Sequence, residues 1–305
     1  VSDPYTRLYS DDYKYRNAVV VDPTAFKWTD CFSKKSKRVL ATNKSGGYFM
    51  PEAGNGKFTE EIKPFYIPGG DTGCLLLHGF GGTPLEMRPL GEYLAAREIT
   101  VAGVRLAGHG TRPSDLKGLT CHDWVNSAAA GLEELRNKCS KVYLIGLSMG
   151  GTICLHLAAN YRLDGVVTVC APVYLDLRLY LTHPFRYLLS FKREVDHNIK
   201  DPGARKNHYA YKSVPPGAVL QLFKLMRSVR SELKTISTPA LLFHSRGDCI
   251  VPPGNGPFIL ENITNVRYKN LIWLENSGHM AVIDYDKDQV MSETYRFVTV
   301  LDKRE

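Results

Sequence analysis

A serine between two glycines is the residue of this chain whose surroundings most clearly indicate chemistry. Residues 146–150 read Gly-Leu-Ser-Met-Gly; they follow an apolar stretch at 141–145 and precede a segment that we expect to be helical. A strand that turns directly into a helix holds the residue between them in a strained conformation, and flanking glycines let the two elements approach closely. The start of the helix also directs free N–H groups toward the side chain. The pattern therefore predicts that Ser148 is a nucleophile.

A serine nucleophile in such a turn requires an acid and a base, which follow it in the order serine, acid, histidine. Asp248 comes after the apolar segment 240–244, at the end of a predicted strand, where the acid belongs. Asp164 and Asp176 are alternatives, but the first precedes a predicted strand and the second leads into an irregular segment. His279 is the sole histidine after Asp248, so this order makes it the base.

Two other histidines have positions that could suggest a role in catalysis. His109 lies between two glycines but precedes Ser148 in the chain, and His244 lies within the predicted strand that ends before Asp248. We interpret His109 as a residue that shapes its loop and His244 as a packed residue at the end of the sheet.

A second glycine-rich loop follows another predicted strand. Residues 78–82 read His-Gly-Phe-Gly-Gly and come directly after the apolar run that starts at Cys74. Such a loop presents backbone N–H groups to an anion, and in a serine hydrolase it supplies the second donor of the oxyanion hole. A phosphate-binding loop is the alternative, but neither of its two characteristic glycine patterns occurs here.

The elements that must position these residues alternate between strand and helix. Continuous apolar runs are typical of strands covered on both faces, and apolar residues at helical spacing lie between them. This alternation predicts an α/β fold with a doubly wound, mostly parallel sheet, whose core we place at residues 61–170 and 239–305. The predicted strands are 64–67, 74–78, 99–106, 141–145, 165–170, 240–244 and 269–274, and the predicted helices are 85–97, 121–139, one that starts near 149, and 219–233.

The alternation stops between residues 171 and 238, which we interpret as a helical lid insertion over the active site. This segment holds 12 Lys and Arg and 5 Asp and Glu, so 12 − 5 = +7 of the net charge of +8 lies in it. Residues 175–191 are rich in apolar and aromatic side chains. The segment is either an ordinary lid with a solvated basic face or a cationic, apolar cap that makes weak contact with lipid aggregates.

The remaining sequence restricts the class of protein. Residues 1–60 are predicted to be an N-terminal extension that packs on the core, with short strands at 19–21 and 38–41. A chain of 305 residues with 44% hydrophobic residues can build a large core. The positive charge could suit nucleic acid, but no basic arm or nucleic-acid motif is present, so no such partner is expected. No apolar stretch of 18 residues and no leader-like start occur, which favours a cytoplasmic location.

The cysteines do not indicate a cofactor site. Their number is seven, and Cys74, Cys154 and Cys170 lie within apolar strand or helix patterns, as buried thiols do. No Cys or His cluster has the spacing of metal ligands. We therefore expect neither a metal nor an organic cofactor.

Taken together, these motifs resemble the α/β-hydrolase superfamily and, more narrowly, bacterial carboxylesterases and monoacylglycerol lipases. The resemblance extends over about residues 64–300. It is carried by the segments 75–84, 105–111, 122–124, 146–151, 244–248 and 277–279.

The resemblance implies a function and a set of roles. It implies a catalytic triad of Ser148, Asp248 and His279, with the N–H groups of Phe80 and Met149 as oxyanion donors. It also implies hydrolysis of a small, hydrophobic ester, of short to medium acyl chain or a monoacylglycerol, through an acyl-enzyme. A feruloyl-type ester or a thioester would use the same triad, and a non-catalytic binding protein with this fold is the competing class. The sequence does not indicate an oligomeric state.

Overall fold

A mostly parallel sheet forms the centre of the described part of the chain. The computed structural model describes residues 62–175, 197–266 and 268–302. The described strands form one seven-stranded sheet in the order β1-β3-β2-β4-β5-β6-β7, in which only β1 is antiparallel to its neighbour. The doubly wound sheet predicted from the sequence is therefore confirmed. The strands are β1 Phe65–Ile67, β2 Thr72–Leu77, β3 Thr100–Val104, β4 Lys141–Leu147, β5 Gly165–Val169, β6 Ala240–Ser245 and β7 Lys269–Leu274.

Helices cover both faces of this sheet. In the described ranges they are α1 Arg88–Ala95, α2 Cys121–Arg136, α3 Met149–Asn160, α4 Pro202–Asn207, α5 Pro216–Glu232, α6 Asn255–Asn262 and α7 Lys287–Asp302. Short 3₁₀ turns lie at Pro84–Met87, Pro113–Leu116 and Leu233–Thr235. The described helices are all too short or too polar to cross a lipid bilayer.

Side chains that alternate in direction along the strands form a core on each face of the sheet. Leu75 and Leu77 of β2 pack in a core with α2, α3, α5 and α6, whereas Cys74 and Leu76 pack in a second core with α1 and α7. Successive side chains of a strand point to opposite faces, so a continuous apolar run is what a strand between two helical layers requires. All four residues are at most 1% exposed, which confirms this interpretation of the apolar run.

Prolines set the starts of two helices differently from the prediction. The helix expected at 85–97 begins only at Arg88, after a 3₁₀ turn at Pro84–Met87. Pro89 has no N–H and cannot make the helical hydrogen bond to the residue four positions earlier, so the α-helix cannot include Leu85. The helix expected at 219–233 begins earlier, at Pro216, because proline is well tolerated at the first helical position.

The predicted insertion is only partly described by the structure. Its last helix, α5, packs on α3 and α2 and contributes Leu225 and Val229 to the core beneath them. The insertion at 171–238 and its role as a lid stay predictions. The N-terminal extension at 1–60 and all but the first residue of the apolar segment at 175–191 lie outside the described residues.

Candidate active site

Ser148 lies at the turn between β4 and α3 in a strained conformation. Its backbone angles are φ 51° and ψ −122°, a region that side-chain-bearing residues rarely adopt. Its N–H donates to the carbonyl oxygen of Val169 at 2.8 Å, and its own carbonyl oxygen accepts from the N–H of Thr152 at 3.1 Å. These bonds hold the turn on both sides, so the serine side chain is presented at the carboxyl edge of the sheet.

The two glycines of the turn are required by close approach. A Cβ on Gly146 would lie 2.3 Å from the carbonyl carbon and oxygen of Gly150, and a Cβ on Gly150 would lie 2.3 Å from the carbonyl oxygen of Leu77. Both distances are far below van der Waals contact. The start of α3 can therefore approach β4 and β2 only when these positions lack side chains, as the sequence pattern predicts.

Asp248 and His279 form a buried hydrogen-bonded pair. The Nδ1 of His279 lies 2.8 Å from Oδ2 of Asp248, which fixes the proton on Nδ1 and leaves Nε2 as the free ring nitrogen. The other carboxylate oxygen accepts from the N–H groups of Ile250 and Val251, both at 2.8 Å. Burial alone would raise the pKa of Asp248, but the charge and hydrogen bond of His279, with smaller effects of His244 and Val251, hold it below its usual value.

Cys170 connects the serine turn to this pair. It follows Val169, whose carbonyl oxygen holds Ser148, and its own N–H donates to Phe243 at 2.9 Å. Its sulfur lies within 4.8 Å of ligand atoms of Asp248 and His279, so the group could in principle bind a cation. Burial and the neighbouring carboxylate raise the pKa of the thiol well above its usual value, which keeps the thiol protonated. The arrangement therefore favours an acid–base pair beside a neutral thiol.

Asn198 is a residue of the site that the sequence analysis missed. Its Oδ1 accepts from the N–H of Cys249, which follows Asp248, and from the N–H of His279, both at 2.9 Å. Its backbone carbonyl oxygen also lies 3.0 Å from the His279 nitrogen. Asn198 adopts φ 51°, a left-handed conformation that asparagine tolerates better than most residues. The loops that carry Asp248 and His279 are thus fixed to a single side chain from the predicted insertion.

The glycine-rich loop at 78–82 lies beside the serine. A Cβ on Gly79 would be 3.6 Å from the Cβ of Ser148. The Gly79 carbonyl oxygen accepts from the N–H of Gly82 at 3.1 Å and from Nδ1 of His78 at 2.9 Å. Because the peptide group is planar and trans, fixing this carbonyl also fixes the direction of the Phe80 N–H.

His109 and Asp164 have the structural surroundings that we expected for them. His109 is 1% exposed, and its Nδ1 donates to the Ala107 carbonyl oxygen at 3.0 Å. Burial, with the charge of His78, lowers the pKa of His109 to about 3, so it is neutral. Asp164 accepts from the N–H of Val142 near the amino ends of β4 and β5, at the opposite edge of the sheet from Ser148. Asp176 lies outside the described residues.

Comparison with known proteins matches the chain to one family of hydrolases and to two relatives named as hydrolases. The sequence profile of the family described as serine aminopeptidase, S33, matches residues 71–286. A thermostable monoacylglycerol lipase of Bacillus sp. strain H-257 is 37% identical over 77% of this chain and 93% of its own length. A carboxylesterase of Bacillus subtilis strain 168 is 30% identical over 79% of this chain and 97% of its own length.

Solved structures show the same fold. A chain from a study of the metagenome-derived lipolytic enzymes LipS and LipT is 32% identical, covers 79% of this chain and 98% of its own, and superimposes with a TM-score of 0.70. The monoacylglycerol lipase of Paleococcus ferrophilus is 19% identical over 78% of this chain and 98% of its own, with a TM-score of 0.66, which supports the fold alone.

Proposed function

Because this chain belongs to the serine aminopeptidase S33 family and has the α/β-hydrolase fold, we propose that Ser148, Asp248 and His279 are its catalytic triad. The chain is a carboxylic ester hydrolase, as its relatives named monoacylglycerol lipase and carboxylesterase indicate. The observation that carries the assignment of the residues is the 2.8 Å bond between His279 and Asp248 at the sheet edge where Ser148 lies in its strained turn.

The roles follow from this geometry. His279 accepts the proton of the Ser148 hydroxyl through Nε2 as the oxygen attacks the ester carbonyl. Asp248 holds the tautomer of His279 and stabilises its charged form. Expulsion of the alcohol, which takes the proton from His279, leaves an acyl-enzyme. Water then attacks its carbonyl with His279 again as the base, and the bond between the acyl group and the Ser148 oxygen breaks. The carboxylic acid leaves, and the Ser148 oxygen regains its proton from His279.

Two backbone N–H groups are proposed to stabilise the oxyanion. One is that of Met149, the first residue of α3, which has no acceptor within the helix. The other is that of Phe80, whose direction is fixed by the hydrogen bonds of the Gly79 carbonyl. A donor in such a hole contributes about 3 kcal/mol of transition-state stabilisation.

The substrate class is proposed from the relatives. We infer that the chain hydrolyses short- to medium-chain acyl esters or monoacylglycerols, because a 37% identical relative is named a monoacylglycerol lipase. The basic insertion is proposed to contact lipid aggregates weakly. A series of 1-monoacylglycerols and p-nitrophenyl esters of increasing chain length measures the preference, and feruloyl esters and acyl thioesters in the same panel test the alternatives.

Replacement of the nucleophile tests the assignment directly. Ser148→Ala is expected to lower kcat for p-nitrophenyl butyrate by roughly a millionfold, as loss of a triad serine does elsewhere. A fluorophosphonate probe should label the parent protein at Ser148 and leave the variant unlabelled. Near-normal turnover of the folded variant would show that Ser148 is not the nucleophile. If the parent protein instead binds a ligand tightly without turnover, a non-catalytic binding protein would be favoured.

A further inference from the structure

A buried carboxylate that the proposed mechanism does not use lies directly beneath the oxyanion loop. The Oε2 of Glu86 accepts from the N–H of Gly79 at 3.1 Å. A Cβ on Gly82 would lie 2.1 Å from Oε1, so the carboxylate touches both ends of the loop. Glu86 therefore lies where it determines the position of the loop.

The partner of this carboxylate comes from a distant part of the chain. Nε2 of His208, which precedes α5, lies 3.0 Å from Oε1 of Glu86. The two side chains are only 5% and 3% exposed. Burial alone would raise the pKa of Glu86, but the hydrogen bond and charge of His208, followed by His78 and the Gly79 N–H, hold it below its usual value. Glu86 is thus an anion that receives a donor at each oxygen.

Tyr211, three residues after His208, also contacts the oxyanion loop. The N–H of Tyr211 donates to the Gly81 carbonyl oxygen at 2.7 Å, and its hydroxyl donates to the Gly108 carbonyl oxygen at 2.9 Å. The segment that contains His208 and Tyr211 is therefore bonded to the oxyanion loop directly by Tyr211 and, through the charged Glu86, by His208.

We propose that Glu86 and His208 are positioning residues that fix the oxyanion donor of Phe80 through Gly79. Glu86 holds the N–H of Gly79, and the carbonyl of that same residue belongs to the peptide group that carries the Phe80 N–H. Loss of either partner lets this peptide group rotate away from the oxyanion. An error of about 1 Å in a catalytic geometry can cost on the order of a hundredfold in rate. The inference rests on the proposed triad and oxyanion hole.

Charge and donor variants separate positioning from simple packing. Glu86→Gln places an amide NH₂, itself a donor, opposite either the Gly79 N–H or the His208 N–H, so one of these two hydrogen bonds is lost. His208→Ala removes the His208 donor. Both are expected to lower kcat roughly 10–100-fold with less than a threefold change in KM. His208→Gln can place its own amide N–H near the position of Nε2, so its kcat should return to within about threefold of the parent value.

A matched control exists elsewhere in the protein. Nδ1 of His156 on α3 lies 2.7 Å from Oε2 of Glu232 on α5, in a pair that is 23% exposed and does not touch the oxyanion loop. His156→Ala removes a His–Glu hydrogen bond of the same kind. Its kcat should equal that of the parent.

A trifluoromethyl ketone provides the second measurement, because Ser148 adds to it and the resulting oxyanion occupies the hole. Its affinity should fall in Glu86→Gln and His208→Ala in parallel with kcat and be retained in His208→Gln. If Ala at 208 prevents folding, the comparison of folded Glu86→Gln with His208→Gln decides the question, and equal affinities would overturn the proposal.

The outcomes separate this inference from the proposed function. If Ser148→Ala is inactive but Glu86→Gln and His208→Ala both have the kcat of His156→Ala, the positioning role alone is overturned. A rise in KM at constant kcat would overturn it too, since it would indicate substrate binding. Turnover retained by Ser148→Ala would instead remove the proposed function itself.

Discussion

Left-handed backbone conformations of side-chain-bearing residues are concentrated at the candidate active site. Ser148, Cys170 and Asn198 each have φ 51°, and all three lie in or beside the contacts that join the nucleophile to the acid–base pair. Such conformations cost about 1–3 kcal/mol each and persist where the surrounding structure enforces them. The site therefore maintains its geometry at the expense of local backbone energy.

Asn198 allows the contribution of this geometry to be measured. Asn198→Gly keeps access to the left-handed conformation but removes the Oδ1 that holds the N–H groups of Cys249 and His279. We expect kcat to fall roughly tenfold or more because the acid and base loops lose their common acceptor. Steady-state kinetics with p-nitrophenyl butyrate measures the effect.

Asn198→Asp is the matched control, since a carboxylate oxygen still accepts both hydrogen bonds. Its kcat should be closer to the parent value than that of the glycine variant. Equal kcat values for Asn198→Gly and the parent would show that the two loops keep their geometry without this side chain.

Residues that follow a recognisable strand could be predicted, and residues brought in from distant segments could not. Ser148 and Asp248 each end an apolar run at the carboxyl edge of a parallel sheet, and chain order then left His279 as the one available base. Asn198 and the Glu86–His208 pair have no such local signal, because their partners lie about 50 to 120 residues away in sequence. Only the folded chain brings them together.

At the scale of elements, the buried strands were the most predictable part of the fold. β7 matches its predicted range of 269–274, and β2, β4, β5 and β6 each lie within two residues of theirs. Their apolar runs are distinctive because helices cover both faces. The role of α5 was less predictable, because its amphipathic pattern is the same for a lid helix and for a helix of the core.

A close approach between two elements, that of α3 to β2, gives a prediction at this scale. Gly150→Ala would place a methyl group 2.3 Å from the Leu77 carbonyl oxygen, and the backbone cannot yield as a flexible side chain would. We expect a loss of about 3 kcal/mol in the free energy of unfolding, at the upper end for overpacking, together with loss of activity as the serine turn shifts. Urea denaturation and ester hydrolysis measure the two effects.

Gly217, near the start of α5, provides the control because a Cβ there meets nothing within 4 Å. Gly217→Ala should leave activity unchanged and either preserve or slightly increase stability, since alanine favours helix formation. Equal stability of the two variants would show that α3 can move away from the sheet without cost.

At the scale of the whole molecule, buried histidines make stability depend on pH. Burial is the largest cause that lowers the pKa of His78, His109 and His244, that of His109 to about 3. In the unfolded chain a histidine binds a proton below about pH 6.5. The unfolded state therefore binds more protons than the native state below this pH, so the free energy of unfolding must fall as the pH decreases.

The size of this effect can be tested with one substitution. Each fully titrating histidine changes the free energy of unfolding by up to about 1.4 kcal/mol per pH unit between its pKa in the unfolded state and its pKa in the folded state. Asp248 and Glu86, whose pKa values are lowered in the folded state, reduce the free energy of unfolding further only at more acidic pH. His109→Asn can keep the hydrogen bond to the Ala107 carbonyl oxygen but does not titrate, so its free energy of unfolding should depend less steeply on pH between 6.5 and 5 than that of the parent. Urea denaturation at several pH values in this range gives both slopes. A parent-like slope for His109→Asn would mean that His109 takes up its proton within the folded protein.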